Sequence, residues 1–497
     1  MERSGFDVVI VGGGPVGAVF ANRLSDDPNR SVLLLEAGPD YGSDVAGWPG
    51  DLLYSQEQPL RSHSWNLEDA GSGIFLPRAK LLGGSSAVNA CYWIRGSARD
   101  FDDWESFGNP GWSFDGLLPF FQKAESDPLG GPMHGTDGPV AVLRADEYSP
   151  GDAAFTEAAV SHGMVEVDDI NGAREQVPSV GPVPKNIVAD NRFNAALSYL
   201  APVRGRPNLT IGCDTLVDRV RFDGDRAIGV VTSTGEEIDA GLVVLAAGAY
   251  FTPGILNRSG YGNEADLTAL GIPVRQHLPG VGQNLLDHPF SIEVLGGTLI
   301  PEAEYGKQIQ GQALARSRSE SSGEEIDCHI YNAQGYDPAL ERWLLSISVS
   351  LVHARSTGSV TSTSTDPTAP PRIEHRHYSD GADLERMVDG VEMAREIYYS
   401  DQLTAIVEDL PERFWQWSDR QSLTQLVRER SQTTNHCSGT AKMGPSSDPM
   451  AVVDITGRVY GADDLVVADS SVFPSCPRGN IHFPVVAVAE KIAAAFL

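Results

Sequence analysis

Residues 6–17 read FDVVIVGGGPVG and decide the fold of this chain. FDVVIV is a short apolar run rich in β-branched residues, which is typical of a strand buried in a parallel sheet. Gly12, Gly14 and Gly17 have the spacing GxGxxG, and the next segment, AVFANRLSDDPNR, has the apolar positions of a helix packed on a sheet. Such a turn brings the backbone close to a pyrophosphate and presents free N–H groups at a helix N-terminus. The stretch therefore predicts a dinucleotide-binding unit.

A second apolar strand completes this βαβ unit. It lies in SVLLLEAG and leads into Glu36, 24 residues after Gly12. At this distance an acidic side chain holds the hydroxyl groups of a ribose. Because a carboxylate disfavours a 2′-phosphate, Glu36 makes NADP the least suitable dinucleotide and leaves FAD and NAD as candidates.

Composition excludes several kinds of protein. A chain of 497 residues exceeds the usual size of one hydrophobic core, which predicts at least two domains or one elaborated α/β body. The 37 Lys and Arg residues against 67 Asp and Glu give a formal net charge of −30, which argues against nucleic acid or an anionic membrane as a partner. No apolar run reaches the length of about 18 residues that predicts a transmembrane helix.

Cysteine usage and the N-terminus indicate the compartment. The five cysteines are scattered and show neither CxxC nor Cys/His metal spacing, so we expect no disulfide framework and no metal site. The chain enters a strand almost at once, without the charged and apolar regions of a signal peptide. We therefore expect a cytoplasmic protein.

Three further blocks combine small and polar residues. Residues 79–102, AKLLGGSSAVNACYWIRGSARDFD, offer close backbone approach and hydrogen-bonding side chains, although their composition fits a loop before a helix equally well. Residues 242–262, LVVLAAGAYFTPGILNRSGYG, predict a buried strand followed by a helix, and residues 208–241 before them predict a meander of short strands. Residues 277–289, HLPGVGQNLLDHP, are dense in turn and polar residues.

The middle of the chain has a different pattern. Residues 326–378 alternate between apolar and polar positions, which predicts an antiparallel sheet with one face exposed. Helix patterns follow in ADLERMVDGVEMAREIYYS and SLTQLVRERSQ. We interpret this region as a substrate-facing domain inserted into the dinucleotide fold.

A single histidine, His436, lies in residues 433–444, TTNHCSGTAKMG. Taken alone, it is more typical of an ordinary hydrogen-bonded histidine than of a catalyst. Its neighbour Cys437 has no cationic partner in the surrounding sequence, which favours a small packing residue over a reactive thiol.

Four blocks in the same order resemble the glucose-methanol-choline (GMC) oxidoreductases over nearly the whole chain. Besides the glycine motif, KLLGGSSAVN is similar to the first signature of the family, GAYFTPGILNRSGYG to the second, with Tyr261 where an aliphatic residue is usual, and DLVVADSSVFPSCPRGNIHFPVVAVAEKIA to the closing segment. The resemblance implies an α/β fold, in which a doubly wound, Rossmann-like FAD-binding domain is interleaved with an α+β substrate domain built on an antiparallel sheet. The expected FAD-binding domain is discontinuous and spans 1–150, 200–290 and 440–497, and the substrate-binding domain spans 151–199 and 291–439.

The resemblance also implies roles for single residues. His436, in the pattern HxSGT, matches the histidine nearest the reactive edge of the flavin, and His482 in GNIHFP takes the second active-site position of the family. Asp469 is expected near the ribityl chain, or alternatively acts as a helix N-cap. The expected FAD-binding residues are Gly12, Gly14, Pro15, Val16, Gly17, Glu36, Ala37, Gly83, Gly84, Ser85, Asn89, Ala90, Val217, Ala247, Gly248, Asp469, Ser470, Asn480, Ile481 and His482.

The implied reaction is the oxidation of the CH–OH group of an alcohol to an aldehyde or ketone. An imidazole with a pKa near neutrality accepts the hydroxyl proton while a hydride passes to flavin N5. We assign His436 as the base and His482 as the second hydrogen-bonding group, and the reverse assignment or a shared proton stays open. Dioxygen or another acceptor is expected to reoxidise the flavin.

The sequence departs from the family pattern at two places, and two alternative functions stay open. Residues 78–104 contain no histidine for a covalent link, so FAD should be noncovalent, and the short interval from Pro289 to Ile326 suggests a more open entrance or a bulkier substrate. Residues 130–142, GGPMHGTDGPVAV, resemble an intracellular bacterial subgroup, which makes a dehydrogenase reoxidising a mycofactocin-type peptide redox cofactor one alternative. A hydroxynitrile lyase with non-redox FAD is the other.

Overall fold

The computed structural model describes residues 5–55, 58–174, 177–300, 311–323, 326–337, 340–409 and 419–497. Most of the longer strands in these residues belong to two large sheets. The strands are β1 (Phe6–Val11), β2 (Val32–Leu35), β3 (Leu67–Glu68), β4 (Phe75–Leu76), β5 (Glu125–Ser126), β6 (Val140–Ala141), β7 (Val165–Glu166), β8 (Ser179–Pro182), β9 (Ile187–Val188), β10 (Asn191–Arg192), β11 (Leu209–Gly212), β12 (Val217–Asp223), β13 (Arg226–Thr232), β14 (Glu237–Leu245), β15 (Tyr261–Gly262), β16 (Gln276–His277), β17 (Pro289–Thr298), β18 (Ala313–Ser317), β19 (Cys328–Asp337), β20 (Arg342–Leu351), β21 (Ser359–Thr361), β22 (Arg372–Glu374), β23 (Val407–Asp409), β24 (Gln432–Thr433) and β25 (Leu465–Val467). The α-helices are α1 (Pro15–Leu24), α2 (Gly50–Leu53), α3 (Ala98–Ser106), α4 (Phe114–Ala124), α5 (Pro150–Ser161), α6 (Thr252–Arg258), α7 (Glu264–Ala269), α8 (Gly381–Tyr398), α9 (Asp401–Thr404), α10 (Arg420–Arg430) and α11 (His482–Ala494).

The first sheet is largely parallel and contains the strand of the glycine motif. Its order is β11-β2-β1-β14-β13-β12, and β25 also pairs with β14. Val9 of β1 lies opposite Leu33 of β2 on one side and opposite Val243 of β14 on the other. Val243 also lies opposite Leu465 of β25. These residues are buried, because helices cover a parallel sheet on both faces, and the strands therefore appear in the sequence as continuous apolar runs.

Strand β14 joins this parallel part to the predicted meander. Its first residues pair antiparallel with β13, and β13 pairs antiparallel with β12. Helices α1, α4 and α11 contribute Phe20, Phe121 and Val486 to the hydrophobic core around the sheet.

The second sheet is mainly antiparallel. Its order is β23-β17-β20-β19-β18-β8-β7, with β24 on β17, and the β7–β8 pair is parallel. One face packs against α5 and α8 in a second core that contains Ile330, Val349 and Met387. The two sheets confirm the predicted α/β fold with an antiparallel substrate part, while the domain boundaries stay a prediction.

The prediction that one face of the antiparallel sheet is exposed is wrong. All residues of β18 and the first five of β19 are buried. The buried residues include polar ones, since Arg316 and His329 are 3% and 0% exposed. Residues from distant segments, such as Tyr92 and Ile170, pack on this face, so the alternating pattern marks a polar surface that is turned into the protein.

Four strands of this sheet, β7, β8, β17 and β18, precede residue 326, where the predicted sheet begins. The structure describes only part of the interval from Pro289 to Ile326, which suggested an open entrance, because residues 301–310 lie outside the described residues. The open entrance stays a prediction. Among the described helices, none combines the length and apolar character needed to cross a bilayer.

Candidate active site

The carboxyl ends of four neighbouring parallel strands form the cofactor side of the candidate site. Strands β2, β1, β14 and β25 lie side by side, so the segments that follow them meet at one edge of the sheet. In open α/β sheets this edge is where ligands bind. The expected FAD-binding residues that follow these strands directly are Gly12, Gly14, Pro15, Val16, Gly17, Glu36, Ala37, Ala247, Gly248, Asp469 and Ser470.

The first glycine loop has the shape that a pyrophosphate requires. Gly12 has a φ of 106°, and a Cβ on it would lie 2.4 Å from the Ala246 carbonyl oxygen. A Cβ on Gly17 would lie 1.9 Å from the Gly12 oxygen, so both positions need glycine for close packing. By contrast, a Cβ on Gly14 would meet no atom within 4 Å. The open space therefore lies over the N-terminus of α1, whose N-cap makes no side-chain hydrogen bond, and where an anion is favoured.

The second glycine block lies directly against the first. The N–H of Gly83 donates to the Gly13 oxygen over 2.8 Å. A Cβ on Gly84 would lie 2.8 Å from the Gly14 Cα. Ser85 and Asn89 follow in half-buried positions, with Ala90 beside them. The structure thus brings the two predicted blocks together around the same space.

Glu36 is held by backbone N–H groups. Its two carboxylate oxygens accept from Gly13 over 2.8 Å and from Gly38 over 2.9 Å. Burial raises the pKa of this carboxyl to about 7. Each oxygen has a further lone pair, which a ribose hydroxyl can use. The Glu36 carbonyl also accepts from Thr215 over 2.8 Å, which places the segment before Val217 beside it.

Asp469 is the N-cap of a short 3₁₀ turn, Ser470–Val472, as the alternative reading of the sequence proposed. One carboxylate oxygen accepts from the Ser471 N–H over 2.9 Å. The other accepts from the Gly248 N–H over 2.9 Å and from the Thr252 hydroxyl over 2.6 Å. Asp469 therefore ties the ends of β14 and β25 together, and its contact with the ribityl chain stays a prediction.

His436 lies in a buried polar cluster. Its Nδ1 is 2.9 Å from Nδ1 of His288 and 3.0 Å from the Thr434 hydroxyl. Its Nε2 is 3.4 Å from the Asn480 side-chain nitrogen. The backbone N–H of His436 donates to a carboxylate oxygen of Asp287 over 2.8 Å. His288 lies in the polar segment HLPGVGQNLLDHP, but sequence reasoning assigned it no role.

The hydrogen-bond network assigns the proton of His436 to Nδ1. The Thr434 hydroxyl donates to the His288 carbonyl over 3.0 Å, so its oxygen accepts from Nδ1–H of His436. The Asn480 amide donates to the remaining nitrogen, Nε2, which therefore carries a lone pair. Burial, with a smaller contribution from His288, lowers the pKa of His436 to about 3. This pKa lies below the near-neutral value expected for the base, because the ring is buried, and at neutral pH the ring is an uncharged proton acceptor.

His482 has different neighbours. It is the first residue of α11, and its Nδ1 lies 3.2 Å from the Asn89 side-chain nitrogen. Its ring packs edge-on against Trp93, with centroids 5.0 Å apart. The described contacts therefore pair Asn480, and not His482, with His436. The sequence favoured His482 by residue type, but the helix begins there and Asn480 lies in the preceding turn, beside Ile481, the N-cap residue.

Cys437 has a cationic neighbour that the local sequence did not show. Arg78, 359 positions away, places its Nη2 2.6 Å from the Cys437 sulfur and also donates to the Asn435 carbonyl over 2.7 Å. Burial nevertheless raises the pKa of the thiol more than Arg78 lowers it. The neutral thiol agrees with the predicted packing residue, although the fold supplies a cationic partner, Arg78, that the surrounding sequence does not contain.

One group of carboxylates and imidazole has the geometry of a metal site, but its charges are already paired. Glu125, Asp127 and His134 place ligand atoms within 4.8 Å of one another. His134 lies in the segment GGPMHGTDGPVAV. Burial opposes protonation of His134, but hydrogen bonds to Asp127, Asp169 and Glu125 raise its pKa to about 11. A doubly protonated imidazole has no lone pair for a metal, so we assign this group to structural ion pairs.

Comparisons with known proteins show close relatives over the whole length. A family model described as GMC oxidoreductase matches residues 6–290 with its N-terminal part and residues 354–489 with its C-terminal part. Mitochondrial choline dehydrogenase of Mus musculus is 34% identical, and the alignment covers 98% of this chain and 89% of that protein. Oxygen-dependent choline dehydrogenase of Klebsiella pneumoniae is 35% identical, with 98% and 95% covered.

Solved structures show the same likeness. The crystal structure of pyridoxine 4-oxidase from Mesorbium loti superposes with a TM-score of 0.89 at 32% identity, and the alignment covers 99% of each chain. Formate oxidase superposes with a TM-score of 0.86 at 25% identity, with 99% of this chain and 98% of the other covered.

Proposed function

The chain belongs to the GMC oxidoreductase family and is an FAD-dependent enzyme that oxidises alcohols, and from this premise we propose that Nε2 of His436 accepts the hydroxyl proton of the substrate. The CH–OH group loses its O–H proton to His436 and its carbon-bound hydrogen as a hydride, which leaves an aldehyde or ketone. Bound FAD would supply the acceptor for that hydride, flavin N5.

The observation that carries this proposal is the contact of the Asn480 amide nitrogen with Nε2 of His436 over 3.4 Å, which assigns Nε2 as the acceptor nitrogen of the ring. Nδ1 is committed to Thr434 and His288, so Nε2 is the nitrogen available to a substrate. The ring is 9% exposed, and the pKa of about 3 keeps it unprotonated at working pH. A positioned imidazole of this kind contributes about 10²- to 10⁴-fold to a rate.

Asp287 supports the protonated form of this base. Its side chain is fully buried and lies 3.5 Å and 3.6 Å from ring nitrogens of His375 and His377. Burial raises the pKa of Asp287, but these histidines and Thr433 hold it well below its usual range. The carboxylate therefore stays ionised, and its charge raises the pKa of His436. Asp287 positions and stabilises the base without touching the reacting atoms.

Asn480 is the second hydrogen-bonding group in this proposal. Its amide nitrogen lies 3.4 Å from Nε2 of His436 and can donate to the substrate oxygen when that oxygen approaches the same nitrogen. His482 contacts Asn89 of the second glycine block, so we place it on the cofactor side of the site.

FAD fits the open space along the carboxyl edge of the parallel sheet. The first glycine loop and the N-terminus of α1 would hold the pyrophosphate, and Glu36 would hold the ribose. We propose that binding is noncovalent, because residues 78–104 contain no histidine. Acid precipitation should leave the yellow cofactor in the supernatant. A coloured pellet would contradict noncovalent binding.

We propose dioxygen or another external acceptor as the oxidant of the reduced enzyme. The name of the Klebsiella pneumoniae relative describes that protein as oxygen-dependent. No described feature favours a peptide redox cofactor, since His134 of the segment that suggested it is bound in ion pairs. Reoxidation of the reduced enzyme by air-saturated buffer, followed at the flavin absorbance, distinguishes the acceptors.

Anaerobic mixing of the purified enzyme with alcohols tests the proposed reaction. We expect primary alcohols to bleach the flavin absorbance and to yield one aldehyde per flavin. A cyanohydrin in the same experiment tests the lyase alternative, which requires cyanide release without bleaching. Bound FAD that no alcohol reduces would contradict the proposal.

A further inference from the structure

The inward face of the antiparallel sheet carries a row of polar side chains. Cross-strand pairing places Ser179, Arg316, His329, Ser350 and Phe290 opposite one another on β8, β18, β19, β20 and β17. Directly paired residues of antiparallel strands lie on one face. The other face carries the apolar residues of the second core, so this row points away from the helices.

Several atoms of this row have no hydrogen-bond partner. Arg316 and His329 are 3% and 0% exposed. Nε of Arg316, Nε2 of His329 and the hydroxyl oxygens of Ser179 and Ser350 are buried and unpartnered. Buried polar groups are normally hydrogen-bonded. Four such atoms on one face give a polar ligand several groups with which it could form hydrogen bonds.

Arg316 gives this row a positive charge. Burial lowers the pKa of Arg316 to about 10, although the charge of Asp169 opposes this shift. The guanidinium is therefore protonated at neutral pH. One hydrogen bond is described, from Nη1 to the Ile170 carbonyl over 3.0 Å. No carboxylate of the described residues lies within ion-pairing distance, 4.0 Å, of Arg316.

The neighbouring ion pairs do not neutralise Arg316. Beside Ile170 lies a network in which three carboxylates are matched by two guanidinium groups and one protonated imidazole. Its members are Glu125, Asp127, Asp169, Arg95, Arg144 and His134. Because this network is balanced by itself, Arg316 has only the more distant attraction of Asp169 and no ion-pair partner of its own among the described residues. A buried charge without a close partner is unfavourable, and an anion bound beside Arg316 would relieve this cost.

A series of contacts connects this row of polar side chains to the catalytic base. Nδ1 of His329 lies 3.3 Å from the Tyr331 hydroxyl, and Tyr331 hydrogen-bonds with the Asn480 side chain. Asn480 in turn lies 3.4 Å from Nε2 of His436. Tyr331 also stacks on Tyr92 at a centroid distance of 5.8 Å. The base and Arg316 thus stand at opposite ends of one polar and aromatic chain of residues.

We propose that Arg316 and His329 form the specificity end of the substrate site and that they bind a carboxylate, so that the enzyme selects alcohols carrying this group. This inference rests on the proposed function, because it places the hydroxyl group at His436. A planar guanidinium fits a carboxylate in bidentate geometry, and one unmatched positive charge balances one monoanion. The same charge repels the quaternary ammonium group of choline.

Equilibrium binding tests the inference without turnover. Calorimetry of the FAD-loaded enzyme should show that 4-methylbenzoate binds at least about tenfold more tightly than 4-methylbenzamide, which has nearly the same shape without the charge. In Arg316→Gln the two affinities should differ by less than about threefold. Arg226→Gln, at an exposed surface pair with Asp464, is the matched control and should retain the preference.

Two results would overturn the inference: equal affinities in the wild-type enzyme, or a full preference in Arg316→Gln. The wild-type comparison decides the matter even when the variant fails to fold. Anaerobic flavin reduction by benzyl alcohol and 4-(hydroxymethyl)benzoate separates this inference from the proposed function. Bleaching by both alcohols with equal efficiency contradicts only the carboxylate subsite, whereas bound FAD that neither these nor any other alcohol bleaches contradicts the proposed oxidation.

Discussion

The cofactor edge of the parallel sheet and the inward face of the antiparallel sheet border one site but are built differently. At the cofactor edge the backbone provides the shape, since Gly12 and Gly17 close the turn and Gly14 leaves space over the start of α1. The inward face is made of side chains, and Nε of Arg316 and Nε2 of His329 have no hydrogen-bond partner there.

The two regions therefore differ in how selective they are for a ligand. Backbone N–H groups and space over a helix N-terminus suit any dinucleotide phosphate. Buried side chains with unmet hydrogen bonds suit only a ligand that places complementary atoms against them. We therefore propose that the first region binds the cofactor and that the second selects the alcohol.

Filling the space over Gly14 should have a large effect on cofactor binding. Gly14 has a φ of −71°, which any residue adopts, and a Cβ there meets no atom within 4 Å. Gly14→Val should therefore fold but bind FAD about 100-fold more weakly, because phosphate contacts to N–H groups contribute about 1.5–3 kcal/mol each. Fluorescence titration of the apoprotein with FAD measures this. Gly205→Val, at an exposed glycine with open space, is the control, and equal losses in both variants would refute the assignment of the space to a phosphate.

His134→Ala tests the ion-pair network that borders the inward face. Removing the protonated ring leaves three buried or partly buried carboxylates with too few cations, which should lower the free energy of unfolding by about 3 kcal/mol. Because its pKa rises from 6.5 to about 11 on folding, the stabilisation by His134 is complete below pH 6.5 and declines as the pH rises towards 11. Urea unfolding at pH 6 and pH 9 measures both effects. If His134→Ala lost more unfolding free energy at pH 9 than at pH 6, the predicted direction of the pH dependence would be wrong.

Asn480→Ala should have a smaller effect at the junction of the two regions. One neutral hydrogen bond to the substrate oxygen is worth about 1 kcal/mol, so flavin reduction should slow about fivefold to tenfold while FAD remains bound. His482→Ala is the matched comparison, because its contacts lie with Asn89. A greater loss of reduction rate in the His482 variant, at full FAD content, would restore His482 as the partner of the base.

Cys437→Ser should have the smallest effect. The thiol is buried and its pKa is raised, so it supplies no nucleophile, and flavin reduction should change by less than about threefold. Stopped-flow reduction of the variant with a saturating alcohol measures this. A loss of more than tenfold would show that the contact with Arg78 matters for the reaction.

Most of the cofactor edge was predictable from the sequence, because each of its parts is a local pattern. The strand, the glycine spacing and Glu36 follow one another within residues 6–36, and β1, α1 and β2 lie where this pattern predicts them. The antiparallel strands from residue 328 and helices α8 and α10 also follow from periodicity.

The inward face was not predictable in the same way. Polar residues that alternate along β18 and β19 have the same pattern whether they face water or a buried site, and only the packing of Tyr92 and Ile170 decides between the two. The pairs of His436 with His288 and of Cys437 with Arg78 join positions 148 and 359 apart, so no local pattern reveals them. The sequence favoured His482 as the partner of His436 because of its residue type, whereas in the structure Asn480 contacts His436.

The central claim is that His436 takes the substrate proton, and anaerobic stopped-flow reduction of His436→Ala tests it most directly. We predict that the variant keeps FAD and that reduction by an alcohol slows by about 10²- to 10⁴-fold. His162→Ala, at an exposed histidine, should reduce at the wild-type rate. Reduction of the His436 variant within about threefold of wild type, at full FAD content, would contradict the claim.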